Sequence, residues 1–389
     1  MSANKYILIL LSVVFFACSK EKAQHSRASN PESTQSPVEI KHATKFKVEE
    51  INGYTTVTVL KPWQGAAQNY LYILVPPGKD IPEKEHFRKN KNDIVQNVQV
   101  PIKSIVLTST TFVPLLDGLE ESESLVGFPG TDHISSPKTR RLIDEGKIAN
   151  IGTPGNLNIE RLIELNPDAV MDYAMQGEND NSTLARKAGI PVLFNADYLE
   201  KTPLGRAEWI KFSGLFFNKT AEADSIFSQL ETTYDSLKAL ASKAEKQPSV
   251  YSGIVYGDTW FMPGGKNSGS QFINDAAGNY LWKHTPNEGS IKLSFESVYQ
   301  KAHDADFWIG VASFESLQEI KNADHRYTNF KAYKEGNVYS YNKIMGEKGG
   351  TTFFELGYAR PDLILADYIK ILHPELLPEY ELYFHKRLK

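Results

Sequence analysis

The chain has 389 residues, enough for two or three domains that each bury a core of their own. With 41% hydrophobic and 23% charged residues, a net charge of −4 and no long basic tract, it lacks the electrostatic footprint of a nucleic-acid-binding protein, and none is expected as a partner. The single cysteine, Cys18, has no partner for a disulfide, and no segment past residue 18 reads as long and apolar enough to cross a membrane.

Residues 1–17 join a short polar start carrying Lys5 to an apolar run over 6–16, and Ala17 then precedes Cys18. The run is too short to span a bilayer and reads as a signal peptide, residues 1–18. A small residue followed by cysteine resembles the cleavage site of bacterial lipoproteins, where the cysteine is acylated and heads the mature chain. Phe15 departs from the aliphatic residue usual three places before it. Residues 19–44, rich in Ser, Lys, Glu, Gln and Pro, read as a flexible tether to the membrane. Residues 45–97 read as an N-terminal β-segment: alternating runs predict two or three strands, with Asn52-Gly53 as the first hairpin turn.

Residues 98–202 change to short strands alternating with helices. Strands are expected over 104–107, 125–127, 170–173 and 192–194, and helices over 112–119, 139–145, 159–165 and 182–187. That order predicts a mainly parallel sheet in an α/β lobe. Residues 203–247 carry Ile226, Leu230, Tyr234, Leu237 and Ala241 at helical spacing. As one helix the stretch would run ~60 Å, with a break plausible near Asn218-Lys219-Thr220, and would act as a stiff spine. Residues 248–389 repeat the α/β pattern in a second lobe, with strands over 250–256, 307–310 and 338–341 and helices over 271–277, 295–302 and 361–372.

An internal echo supports two related lobes. Leu157-Asn158-Ile159-Glu160 leads into Asp168-Ala169, and 136 positions later Leu293-Ser294-Phe295-Glu296 leads into Asp304-Ala305. Paired α/β lobes of this kind hold a ligand between them, beyond the carboxyl ends of their strands. In the first lobe the residues at those ends are Ser109, Thr110 and Thr111, then Thr131, Asp132 and His133, then 173–176 with Tyr173 and Gln176. In the second they are Tyr256, Trp260 and Phe261, then 263–266 ending in Lys266, then Ser313 and Phe314, then 341–343 ending in Lys343. Trp260 is expected to stack on a flat ring or chelate. Lys343, Lys266, Arg140 and Arg141 are the candidate cations for an anionic ligand, and the glycine-rich run 346–350 is the candidate loop at the cleft mouth.

Enzyme motifs do not occur: there is no GxxxxGK[ST], GxGxxG, HExxH or nucleophile elbow, and catalysis is not expected. Adjacent Asp132 and His133 are a candidate acid/base pair only in the weakest sense. His133, His284 and His325 lie near loops, but a zinc or manganese carrier would need three or four convergent ligands. No metal site or resident cofactor is expected.

The run from Asn158 to Val170, with its Glu160 and its Asn166-Pro167-Asp168, resembles a signature of the periplasmic substrate-binding proteins of ABC importers. The run from Phe272 to Asn279 resembles that family's second-lobe segment before a glycine-asparagine turn. The resemblance covers roughly residues 98–375 and is to the class with one long linking helix, which serves ferric siderophores, cobalamin and haem. It implies two Rossmann-like lobes with the ligand in the cleft. The expected ligand is an iron chelate, a ferric siderophore, with cobalamin or haem as the alternative. It also implies an ABC permease with its ATPase as partner, a monomeric chain, and docking through Glu160 and Glu296 against permease arginines. Residues 45–75 fall outside what the resemblance explains.

Overall fold

The computed structural model describes residues 38–389, so the signal segment, Cys18 and most of the tether lie outside the described residues. Asn52 (φ 52°) and Gly53 (φ 75°) both take left-handed backbone, and the tight turn they make joins Phe46–Ile51 to Tyr54–Val59. Tyr70–Val75 adds antiparallel to the hairpin, and a fourth strand, Ile94–Gln99, pairs parallel to it. That last strand is missing from the sequence reading because its inward residues include Gln96. The buried Gln96 amide is satisfied at both ends by the backbone of Val192, at 2.9 and 3.0 Å. The Tyr72 hydroxyl accepts from the Phe194 N–H at 2.7 Å. The sheet is thereby fastened to Val192–Phe194, an edge strand of the first lobe.

The first lobe holds a five-stranded parallel sheet ordered Val192–Phe194, Ala169–Asp172, Ile105–Leu107, Leu125–Phe128, Ala149–Asn150. In the second lobe Val338–Ser340, Phe307–Ile309, Ser249–Ser252 and Asn279–Tyr280 run parallel in the same order, and Lys386–Arg387 adds an antiparallel strand. The fold is the α/β, two-lobed arrangement expected from the sequence. One bond pattern recurs in both lobes: the Asp168 carboxylate accepts from the Ser104 N–H at 2.9 Å, and Asp306 accepts from the Ser249 N–H at 2.8 Å. The true counterpart of Asp168 is therefore Asp306, not Asp304. The repeat holds its 136-residue spacing at the starts of the helices Ile159–Leu165 and Phe295–Ala302, but in the second copy the helix and the connection that follows it are each one residue longer.

The linking segment is three helices, not one of ~60 Å. Pro203–Ala207 and Trp209–Phe216 precede the long helix Thr220–Ala241. Asn218 takes a left-handed φ of 57°, which ends the second helix where the sequence allowed a break. The 22 residues of the last helix make a spine of about 33 Å. The expected strand over 250–256 is also divided. Gly253 (φ 81°) turns the chain out of Ser249–Ser252, and Ile254–Tyr256 joins Thr259–Pro263 and Ser290–Leu293 in a separate antiparallel sheet. A side chain at Gly253 would collide with the Phe261 carbonyl.

The end of the tether is held against the protein, contrary to the expectation of flexibility up to residue 44. Buried Glu208 accepts from the N–H groups of Lys41, His42 and Ala43 at 2.9, 2.6 and 2.7 Å. Buried Glu200 accepts from Thr44 and Lys45 at 2.9 and 2.8 Å. This strap crosses the start of the linking helices.

Candidate ligand cleft

The loops after strands Leu125–Phe128 and Val338–Ser340 meet. Glu355, on helix Thr352–Leu356 of the second lobe, accepts from the Ser135 and Ser136 N–H groups of the first lobe, each at 2.6 Å. Ser136 is the N-cap of helix Pro137–Asp144, so a carboxylate from one lobe caps a helix of the other. Glu355 is 3% exposed, and burial, with the Asp117 carboxylate adding repulsion, pushes its carboxyl up to about 7 against the pull of those donors. Gly346 and Gly350 lie so close to Ser135 and His133 that a Cβ at either would clash. The 346–350 run, the candidate loop at the cleft mouth, is thus packed against the first lobe at Gly346 and Gly350. These contacts put the carboxyl ends of both sheets on one cleft.

Each sheet opens a hollow at that end. In the first lobe, Tyr173, Met175, Leu157, Thr108 and Asn179 surround a space of about 180 Å³, with Asp172 at its base. The buried Asp172 carboxylate accepts from Thr108 Oγ1 at 2.6 Å, from the Tyr173 N–H at 2.8 Å and from Asn179 Nδ2 at 3.2 Å, and also from Ser182. In the second lobe, Ile254, Tyr256, Phe261, Ala312 and Tyr341 line about 390 Å³, and Gly253 and Gly310 bring the backbone close. Ligand pockets typically run from about 300 to about 1,000 Å³, so the first hollow is small for a ligand by itself and the second lies at the low end of that range. A larger groove of about 870 Å³, beside Lys243, Asp306 and His373, opens at the amino ends of the second-lobe strands, away from this cleft. Parallel sheets present ligand sites at the other end.

The predicted residues divide on this geometry. Tyr173 lines the first hollow, and Tyr256 and Phe261 the second. Tyr256 is 82% exposed at its hairpin tip. Trp260 does not reach the cleft: its side alternates with Phe261 along the strand, and it is 0% exposed among Tyr251, Phe295, Trp308, Tyr327 and Phe330. Its indole N–H donates to Ser252 O at 3.0 Å. Thr110 and Thr111 sit in a turn packed against helix Thr352–Leu356, at the contact between lobes and outside the hollows. Gln176 is exposed beside the first hollow without lining it. The Ser313 carbonyl accepts from Asn342 Nδ2 at 3.0 Å, and Phe314 is half-buried against the core.

The cations are engaged elsewhere. Lys343 Nζ donates to the Leu382 carbonyl, and Arg140, buried, donates to the Thr131 carbonyl at 2.7 Å. Lys266 lies by Glu288, whose carboxyl is held low chiefly by Lys201, with Lys266 adding to the pull. Arg141 is exposed in the last turn of helix Pro137–Asp144, at the end away from the cap. Asp132 and His133 are both exposed. Among the described residues no three or more His, Cys, Asp or Glu side chains gather closely enough to hold a metal ion.

The residues missed by the sequence reading are Asp172, Thr108 and Asn179 in the first lobe and Ile254, Gly310 and Ala312 in the second. Asp172, the last residue of its strand, carried a signal, since a carboxylate ending an otherwise apolar parallel strand needs partners nearby.

Glu160 and Glu296 occupy matching places. Each is exposed in the first turn of its helix, behind an N-cap, Asn158 or Ser294, whose side chain accepts a backbone N–H. Glu296 also accepts from Arg326 at 3.2 Å.

Two lobes of one topology, a single spine and a cleft at the carboxyl ends are the architecture of a two-lobed solute-binding protein. Residues 105–344 match the periplasmic binding protein family, and the chain belongs to that family. It is 26% identical over 390 residues to an uncharacterized lipoprotein of Methanocaldococcus jannaschii, covering 95% of this chain and 92% of that one. Among solved structures it resembles the haem-binding protein HutB of Vibrio cholerae, with a TM-score of 0.53 and 18% identity over 67% of this chain and 98% of that one. It likewise resembles CeuE of Helicobacter pylori, solved as a nickel-histidine complex, with a TM-score of 0.55 and 18% identity over 73% and 87%. Among the described residues no helix is long and apolar enough to cross a membrane.

Proposed function

We propose that this chain is the substrate-binding lipoprotein of an ABC importer. It captures a metal chelate, a ferric siderophore, between its lobes and delivers it to a membrane permease driven by an ATPase. Acylation at Cys18 anchors it to the membrane, a reading supported by the M. jannaschii lipoprotein relative. Glu160 and Glu296 meet permease arginines, one on each lobe.

The observation that carries the reading is where exposed apolar side chains gather. Among the described residues ten large apolar side chains are exposed, and six of them, Tyr173, Met175, Tyr256, Ile344, Met345 and Phe354, lie in carboxyl-end loops or the helix behind them. Soluble surfaces rarely concentrate apolar side chains unless something binds there. Flat aromatic faces beside glycine backbone suit the organic shell of a chelate better than a bare ion. A corrin or porphyrin ring is the second reading, favoured by the same faces.

Calorimetry of the chain from residue 19 against ferric siderophores, cobalamin, haem, Zn²⁺ and Mn²⁺ tests this. All five tryptophans are buried, so heat is a better readout than indole quenching. Saturable binding of a chelate, weakened at least about tenfold by Tyr256→Ala, is expected. Binding of free metal alone would overturn the reading.

A further inference from the structure

This inference rests on the docking reading of Glu160 and Glu296 and names what else that surface contacts. Ile163 follows Glu160 by three residues and Tyr299 follows Glu296 by three, so each lies one helical turn on, on the same face as its glutamate. The two stand 136 positions apart, the spacing of the repeat. Ile163 is 49% exposed. Tyr299 is half-buried, its ring stacked on Phe295 with centroids 6.2 Å apart and 11° between planes. With Glu296, Gln300, His303 and Arg326 these two rings enclose a hollow of about 590 Å³. None of its residues lines either hollow of the chelate cleft. Its rim is held in place: Arg326 lies 4.1 Å over the Phe295 ring, donates to Asp324 at 2.7 Å and reaches Glu296 at 3.2 Å.

A lone exposed isoleucine needs no explanation. Here an apolar side chain recurs in the same register on the other lobe, over an aromatic-floored hollow. Glu296, Asp324 and Asp304, which pairs with His303, surround that hollow beside the single Arg326, and suit a basic partner. Exposed carboxylates orient such a partner, and apolar area removed from water then holds it. We propose that each docking surface grips the permease by an apolar contact one turn past its glutamate. Ile163 presses against an apolar patch of the permease, and the Tyr299 hollow receives an apolar side chain that neighbours the basic group on Glu296. The occupant is the permease rather than a second copy of this chain. One partner spanning both lobes uses both matched surfaces, whereas Ile163 of one copy in the hollow of another leaves one of each unused.

The test places the photoreactive residue p-benzoylphenylalanine at Gln300, an exposed position on the hollow, in the full-length chain in the cells that make it. Illumination is expected to give a conjugate whose partner is an ABC permease subunit by mass spectrometry. Ile163→Ser, in the same chain, is expected to cut its yield at least about tenfold, because the partner spans both lobes. That substitution changes an exposed side chain and leaves the Asn158 cap of the helix in place. A conjugate with a second copy of this chain would overturn the proposal, as would a permease conjugate formed in equal yield with Ile163→Ser. The photoreactive residue at Glu164, exposed one turn past Glu160, separates this inference from the reading it rests on. A permease conjugate from position 164 with none from position 300 would overturn the hollow and leave docking standing. No permease conjugate from either position would remove both.

Discussion

Two side chains show how position within an element outweighs residue type. Trp260 and Phe261 are neighbours on one strand, yet one is core and the other lines the second hollow. Successive side chains point to opposite faces, and the sequence does not say which face meets the cleft until the pairing with Ser290–Leu293 is known. Glu355 is the other case. Nothing local distinguishes it from an exposed glutamate, and only the approach of the other lobe buries it over two N–H groups. Its carboxyl titrates near 7 in the folded chain against an ordinary 4.5, so the folded chain holds that proton more tightly than the unfolded one. Its contribution to stability is greatest at and below about 4.5 and declines as pH rises through about 7. Glu355→Gln does not titrate, and the difference in Tm between wild type and this variant should shift against wild type across that interval. A difference that stays constant from pH 4.5 to 7 would refute the assignment.

Among the elements, the strap over residues 41–45 makes a prediction that the sequence alone would have reversed. A polar, aperiodic segment reads as dispensable, but Glu200 and Glu208 are buried with five backbone N–H groups of the strap as partners. Removing the strap takes those five donors away and, among the described residues, leaves Glu208 only Lys211 at 3.1 Å and Glu200 only the Trp209 indole N–H at 3.1 Å, and each hydrogen bond to a charged group is worth about 1.5–3 kcal/mol. A chain beginning at residue 46 should melt well below one beginning at residue 38, or fail to fold. Equal melting temperatures would show that the strap is incidental. In the linking helices the periodicity was readable, and so was the break at Asn218, which takes left-handed backbone; the earlier division, between Pro203–Ala207 and Trp209–Phe216, was not.

For the whole molecule, the matched helices Ile159–Leu165 and Phe295–Ala302 put one exposed glutamate on each lobe. Charged contacts of this type orient a partner more than they bind it. Reversal of both, Glu160→Lys with Glu296→Lys, should cut uptake at least about tenfold while leaving chelate affinity in solution unchanged. The Arg326 bond to Glu296 joins two exposed side chains and is weakened by water and salt, so it does not withhold that carboxylate from a partner. Normal uptake by the double variant would end the docking role.

The sequence by itself determined the α/β class, the two lobes, most strands and helices, and the paired glutamates. Those features rest on local periodicity, caps and a repeat, which are properties of neighbouring residues. The tertiary structure decided the counterpart of Asp168, the fate of Trp260, the strap, the cap that Glu355 supplies across the lobes, and the lining of the cleft. Each of these depends on which distant segments meet, and a buried carboxylate or a strand's inward face is defined by that meeting rather than by the residues beside it.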